Sequence, residues 1–494
     1  MAKNKKHNSK FCKLISFLLV VCTVIVGSII VYFDILPNKY LIPGGIILGI
    51  LILIIVYKLN AKTNLSTKII CTLLSIIFIF IEVTGTVYAF GTIDFFNNIF
   101  DTGLITESYA LVIKDDSTYT KIKDLNGKTI AIRNEEESNI DKALKKLSNR
   151  ITYNTNKYDN IESMVSSLDK NESDVLFINE SIISVYLEEH NIDNLRILDT
   201  IDITIKNTSD FKDINVSKKP FAIYISGIDT SGKVNKSARS DVNIVAVVNP
   251  KTAKILLLST PRDYYVTLAS KNAKDKLTHA GIYGVEESAK TLGNLYNIDI
   301  NYYIRVNFTS FIKIIDTLDG ITVDVEKPDY RYNNSIDCGL GYICEQNSKR
   351  EFGNKIIYVK SGTNQKLNGE QALAYARNRY QYSSGDIARG KHQTEIINAM
   401  IDKALSANTL SKYNSLLKVT SSGLITNMNQ KTITKLINYQ LDENPKWSIS
   451  SYSVTGTDGY EKTYSLGSSK AYVLIPNEES VIDAKNKINE LLLN

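Results

Sequence analysis

Three long apolar runs open the chain. Residues 14–33 carry no charge over 20 positions, residues 41–57 none over 17, and residues 69–90 only Glu82 over 22. A hydrocarbon core of about 30 Å is crossed by about 20 helical residues, so each run predicts a membrane span. Pro43, Gly44 and Gly45 lie near one end of the second run, a place where a membrane helix tolerates them. The first run is too long for a cleaved leader, lacks a small-x-small cleavage pattern and is followed by two more. Glu82 is expected to snorkel or to pair with a neighbouring helix.

After a short linker at residues 91–106, short apolar runs of strand period alternate with runs of helical period. Strands are predicted at 109–113, 129–132 and 174–178, helices at 136–147, 161–168 and 181–189, and an extended segment at 195–205. These form a small α/β accessory unit, residues 107–206. A polar boundary, 207–219, precedes a larger unit, 220–494, with its core in 220–405. Its predicted strands are 221–226, 243–248, 255–259, 302–306 and 321–325, and its predicted helices 286–296, 310–318, 369–375, 392–405, 411–421 and 432–439. Late strands at 447–454 and 471–474 and a terminal helix at 478–492 complete it, and a loop-rich insert spans about 327–355. The fold class expected is α/β, with three N-terminal transmembrane helices, a small accessory domain, and a mixed sheet covered by helices on both faces.

Charge distribution adds an orientation. Residues 1–90 hold nine Lys and no Arg against Asp34 and Glu82, while the rest is close to neutral. Lys3, Lys5, Lys6, Lys10 and Lys13 precede the first run and Lys58, Lys62 and Lys68 follow the second, whereas the first connection has only Lys39. The positive-inside rule then places the N-terminus in the cytoplasm and residues 91–494 outside. A near-neutral body without a basic run excludes general nucleic-acid binding. Hydrophobic residues at 44% and charged residues at 22% exclude wholesale disorder.

Cys12, Cys22 and Cys71 fall in or beside the apolar runs and read as small apolar residues. Cys338 and Cys344 flank five residues that include two glycines, and outside a cell this pair is expected to form a disulfide. Zinc is the alternative, but no His lies near to complete its ligands.

The chain has 47 Lys and 11 Arg, yet eight of the Arg fall between Arg239 and Arg389. A guanidinium presents a planar, permanently charged fork that fits phosphate or carboxylate oxygens in pairs. Arg305, Arg331 and Arg350 read as surface ion pairs. The other five come with acids: Asp229 ends the first strand, Arg239-Ser240-Asp241 opens the second, Pro261-Arg262-Asp263 closes the third, and Arg377, Arg379, Asp386, Arg389 and Gln393 follow. Arg377 and Arg379 would diverge by about 200° on a regular helix, so the helix is expected to end near Tyr375 and turn both inward. Strand ends beside glycine loops suit ligands, and paired carboxylates with phosphate oxygens suit Mg²⁺. His279 and His392 have no Ser or Cys elbow nearby, and no Walker-type loop occurs.

Two resemblances follow from these motifs. Lys123–Ala131 looks like the opening of one lobe of an extracellular solute-binding protein, over about 100 residues, and is expected to act as a spacer or docking module. Phe221–Asp229, Arg239–Asp241, Ser259–Asp263, Lys276–Ala280, Leu367–Arg379 and Gly385–Gln393 together resemble the LytR–CpsA–Psr family. That resemblance implies an α/β/α sandwich and a membrane-anchored phosphotransferase. Its expected reaction moves an anionic glycopolymer from an undecaprenyl-pyrophosphate carrier to peptidoglycan. Asp229 and Asp241 would hold Mg²⁺, and Arg239, Arg262 and Asp263 would carry catalysis. Arg377, Arg379, Arg389, Gln393 and Lys276 would bind substrate. The sequence departs from the family at His392-Gln393-Thr394, where Arg-Gln-Gln is common, and in the cysteine insert. A lipid pyrophosphatase using the same site, and an envelope regulator or solute sensor acting through residues 107–206, remain alternatives.

Overall fold

The computed structural model describes residues 2–32, 38–100, 104–134, 138–206, 211–228, 234–330, 338–339, 341–346, 355–404, 413–421, 423–467 and 469–493. Three long helices come first, Ala2–Tyr32, Asn38–Asn60 and Leu65–Ile99, and each contains a stretch long and apolar enough to cross a membrane: Lys10–Tyr32, Lys39–Asn60 and Leu65–Val87. Pro43 is accommodated inside the second helix. Apolar side chains would gain nothing by meeting in lipid, so the polar contacts between helices are informative. Thr23 Oγ1 donates to Glu82 Oε1 at 2.5 Å, which gives Glu82 its neighbouring-helix partner, and Asn60 Nδ2 donates to Ser16 Oγ at 3.0 Å.

The third helix overturns part of the predicted linker. It begins at an Asn64 cap whose side chain accepts from Thr67 N, and it continues unbroken to Ile99. No proline intervenes to stop it. A strand then starts at Leu104, leaving little room for a spacer.

Residues 104–206 build a five-stranded mixed sheet, in the spatial order Tyr153–Tyr158, Lys128–Arg133, Val175–Asn179, Leu104–Lys114 and Leu195–Lys206. The long Leu104–Lys114 strand is antiparallel to both neighbours, whereas Lys128–Arg133 is parallel to both of its own. Helices Ser138–Ser148, Ile161–Asp169 and Glu180–Glu189 cover the faces, close to their predicted places. The strand Tyr153–Tyr158 is an addition to the expected elements: its polar residues lie on an exposed edge and show no apolar alternation.

The larger unit centres on a six-stranded mixed sheet, in the order Leu424–Thr426, Tyr302–Asn307, Phe221–Ile228, Ser240–Asn249, Lys254–Ser259 and Ser448–Ser453. Alternate side chains on the central strands face opposite layers. Tyr224, Val245 and Leu258 pack against Val285, Leu292 and Ile488 of the helices Val285–Tyr296 and Glu478–Leu493. Ile244, Ala246 and Leu257 face Ile397 and Ile433 of the helices Asp386–Ala404 and Gln430–Glu443. The result is the α/β/α sandwich expected. The predicted strand at 321–325 and the late strand at 471–474 belong elsewhere. Ile321–Val325 pairs with Gly362–Leu367, and Lys470–Pro476 pairs with Gly456–Lys462, each as a separate two-stranded ladder. The helix expected from His392 begins at Asp386, and the helix expected to stop near Tyr375 runs to Arg377 before Asn378 turns extended.

Candidate active site

The antiparallel pairing of Ser240–Asn249 with Lys254–Ser259 sets the geometry. Ile244 stands opposite Ser259, and Thr260 N donates to Asn243 O at 2.9 Å. Continuing the register past the ladder brings Asp241 opposite Arg262, whose Nη1 lies 3.0 Å from Asp241 Oδ1. Asp386, at the start of its helix, accepts from Arg262 N at 3.1 Å through Oδ2 and holds Arg389 Nη2 at 2.5 Å through Oδ1. Gly390 permits this approach, because a Cβ there would lie 2.5 Å from Ser259 Oγ. Gln393, one turn after Arg389, donates to Ala376 O at 3.2 Å and ties this helix to the end of Gly369–Arg377.

Arg239, Asp241, Arg262, Arg377, Arg379, Arg389 and Gln393 therefore line one end of a single cavity of about 560 Å³. Glu188 and Glu345 also line it beside the arginines, and most of the remaining wall is apolar. Ile225, Val242 and Ile304 come from the sheet, Phe308 and Phe311 from Phe308–Thr317, Ile397 and Met400 from Asp386–Ala404, and Leu416 from Tyr413–Ser421. Arg377 sits over the Phe308 ring, 5.2 Å from its centroid, at the junction of the two surfaces. Arg379 follows the helix break, donates to Tyr380 OH at 2.8 Å and lies 3.7 Å from Asp263 Oδ2.

Asp263 and Lys276 stand behind this wall, not in it. Asp263 gathers Arg262 Nε at 3.6 Å, Lys276 Nζ at 3.7 Å and Arg379, with its side chain 6% exposed. This places Asp263 where it orients cations, and Lys276 where it is buried between Asp263 and Glu189. Asp229, the other carboxylate of the expected metal pair, lies outside the described residues, as do Arg331 and Arg350.

The electrostatics follow from packing. Burial alone would raise the Asp241 carboxyl, but Arg262 above all, with Arg239 and Arg389, outweighs it and holds the group at about 2. Burial likewise opposes ionisation of Asp263, and Arg262, Lys276, Arg389 and Arg379 overcome it, so its pKa is lowered. Burial works against charge on Arg262 as well, yet Asp241, Asp263 and Asp386 push its pKa up. For Arg389 burial dominates and the pKa is lowered. Among the described residues no group of three or more His, Cys, Asp or Glu side chains is arranged to hold a metal ion.

One expectation is corrected here. Arg305 is not a surface residue: it is 1% exposed and donates to Ala238 O at 3.2 Å, bracing the segment that carries Arg239. His392, where the sequence departs from the resembled motif, adds no cation to the site. It stacks on Tyr375 at 4.1 Å, is fully buried, and burial lowers its pKa to about 4. Other site contacts had no local signal in the sequence. Glu188 takes Arg239 Nη1 at 2.7 Å, and Glu345 of the cysteine insert lies 3.7 Å from Arg377 Nε. Cys338 and Cys344 are joined by a disulfide, and Gln381 accepts from Cys344 N at 2.9 Å. The insert is thereby fastened beside the segment bearing Arg379.

Fold and site together define a chain with apolar anchor helices and an α/β/α unit whose apolar cavity ends in arginines. The LytR_cpsA_psr family description matches residues 193–488, and the chain belongs to that family. It is 32% identical over 284 residues to the polyisoprenyl-teichoic acid–peptidoglycan teichoic acid transferase TagV of Bacillus subtilis (strain 168), covering 56% of this chain and 66% of that protein. It is also 32% identical over 293 residues to biofilm regulatory protein A of Streptococcus mutans, covering 57% of this chain and 66% of that protein. The chain thus spans just under two thirds of the length of each of these relatives. The crystal structure of B. subtilis TagV covers 56% of this chain and 98% of its own at 29% identity, with a TM-score of 0.42.

Proposed function

We propose that this chain is a membrane-anchored phosphotransferase that moves an anionic glycopolymer, of the teichoic acid kind, from an undecaprenyl-pyrophosphate carrier to peptidoglycan. One observation carries the reading: a single cavity joins an apolar wall to a cluster of five arginines. A polyprenyl pyrophosphate has the matching halves, an apolar tail and a head of closely spaced phosphate oxygens. The named activity of the TagV relative supports the same donor class and acceptor.

The arginines hold the pyrophosphate and neutralise charge as it develops, in a wall that is already ordered by Asp263 and Asp386. A sugar hydroxyl of peptidoglycan attacks the phosphorus next to the polymer. The new O–P bond forms as the bridging P–O bond breaks, polyprenyl phosphate leaves, and the hydroxyl proton is released. Asp241 and Asp263 are both held in their ionised forms and are weak proton acceptors. Asp241 fits a Mg²⁺ role better: it presents an ionised hard-oxygen donor at the cavity wall, and Mg²⁺ beside a pyrophosphate takes few protein ligands. Bound there, Mg²⁺ would add Lewis-acid stabilisation of the phosphoryl oxygens.

The positive-inside pattern supports placing residues 91–494 outside the cell. Lys39, in the first turn of the second helix, donates to Asp442 O at 2.7 Å, which supports placing that helix end and the α/β/α unit on one side of the bilayer.

Binding separates the two halves of the cavity. The detergent-solubilised chain should bind a polyprenyl pyrophosphate more tightly than either polyprenol or inorganic pyrophosphate alone. Equal affinity for polyprenol would remove the arginine cluster from donor recognition, and equal affinity for inorganic pyrophosphate would remove the apolar wall.

A further inference from the structure

The helix Glu180–Glu189 ends in two carboxylates, Glu188 and Glu189, and has no basic residue in its last turn. Acidic side chains at a helix C-terminus oppose the helix dipole, so this ending needs compensation from elsewhere. The compensation comes from the larger unit. Glu188 Oε2 lies 2.7 Å from Arg239 Nη1, and Glu189 is paired with the buried Lys276.

The contact is held in place from several directions. Thr106 N donates to Asn235 O at 3.0 Å and Ser237 N to Thr106 O at 2.9 Å. At the start of the same helix, Glu180 pairs with Lys236 at 2.7 Å and Ser181 Oγ donates to Ser237 O at 2.9 Å. Ile282 and Leu466 of the larger unit pack in one apolar cluster with Ile182, Ile183 and Tyr186. The helix end is therefore fixed over the cavity, and Glu188 itself lines it.

Resting on the donor site proposed above, we infer that Glu188 is a built-in competitor for the substrate's phosphate. It occupies the Arg239 guanidinium as a carboxylate until a pyrophosphate oxygen displaces it. The chemistry is ion exchange at one fork: the Glu188–Arg239 pair opens, a phosphate–Arg239 pair closes, and Glu188, 59% exposed, returns to water. Residues 104–206 would thus set how strongly the site holds an anion, while Glu189 and Lys276 keep the helix end in register.

The test is binding of inorganic pyrophosphate to the full chain in detergent, compared among wild type, Glu188→Gln, Arg239→Gln and the double variant. Glu188→Gln should bind about fivefold more tightly, the scale of a partly exposed ion pair, with the gain shrinking as salt rises. The gain should vanish in the Arg239→Gln background, and Glu188→Asp should fall between wild type and Glu188→Gln. Wild-type binding with unchanged or weaker affinity in Glu188→Gln would overturn the competition and leave the donor site standing. Absence of pyrophosphate binding in wild type and Glu188→Gln alike would overturn both.

Discussion

Arg262 Nη1 lies 3.0 Å from Asp241 Oδ1, across two strand ends brought opposite by their antiparallel register. The pair is nearly buried, with side chains 15% and 14% exposed, and Arg262 Nε also lies 3.6 Å from Asp263 Oδ2. A planar fork can satisfy several acceptors at once, whereas a lysine ammonium is a point charge on a flexible stem. Arg262→Lys should therefore lower kcat/KM by about a hundredfold, equivalent to about 2.7 kcal/mol of transition-state stabilisation. Steady-state kinetics on the lipid-linked donor check this, and turnover near wild type would reduce Arg262 to an ion pair.

Asp241 also links the site to acid stability. Its folded pKa of about 2 is below the usual carboxylate value, so the stabilisation is full above about pH 4 and is lost as pH falls towards 2. The amount is about 2 kcal/mol. Denaturant midpoints of wild type and Asp241→Asn should converge as pH is lowered through that window. A constant gap from pH 6 to 2 would mean that the Asp241 carboxylate is not held ionised by its arginines.

His392 gives a second window at milder pH. Burial keeps it neutral in the fold, with a pKa of about 4 against an ordinary value of about 6.5. The unfolded chain takes up the proton first, so stability should fall as pH drops from about 6.5 to 4 and then level off for this group. His392→Phe keeps an aromatic ring against Tyr375 and Tyr382 and should flatten that part of the pH profile. An identical profile in the variant would place the loss on other groups.

The disulfide offers a third test. Cys338 and Cys344 should resist alkylation until reduced, and Cys338→Ser should cost at most about 3 kcal/mol, since the closed loop is short. Activity should fall further than stability, because the insert holds Gln381 and, through it, the Arg379 segment. Free thiols in protein isolated without reductant would remove the bond from the site.

What the sequence makes legible, and what it hides, divides by locality. Strands such as Ser240–Asn249 and Lys254–Ser259 are buried on both faces and announce themselves as short apolar runs. The acids and arginines at their ends stand out in a lysine-rich chain, so residue type and spacing alone point to the cluster around Arg262. Tyr153–Tyr158 and Gly456–Lys462 leave no such trace, because edge strands facing water carry no apolar period. Arg305 has the sequence signature of a surface cation, because burial of a cation depends on partners distant in sequence. Glu188 and Glu189 are hidden for the same reason: only the docking of residues 104–206 brings them to Arg239 and Lys276.

The most direct measurement is the fate of the polymer when undecaprenyl-pyrophosphate-linked glycopolymer, Mg²⁺ and the wild-type chain are incubated with and without peptidoglycan oligomers. A hydroxyl held in place by the protein has an effective concentration that free water in poor geometry cannot match. Transfer predicts that acceptor diverts the product, by mass, from free polymer phosphate to a covalent glycan conjugate, and that Asp241→Asn abolishes both. Fast release of polymer phosphate that peptidoglycan never redirects would contradict transfer and make the chain a lipid pyrophosphatase.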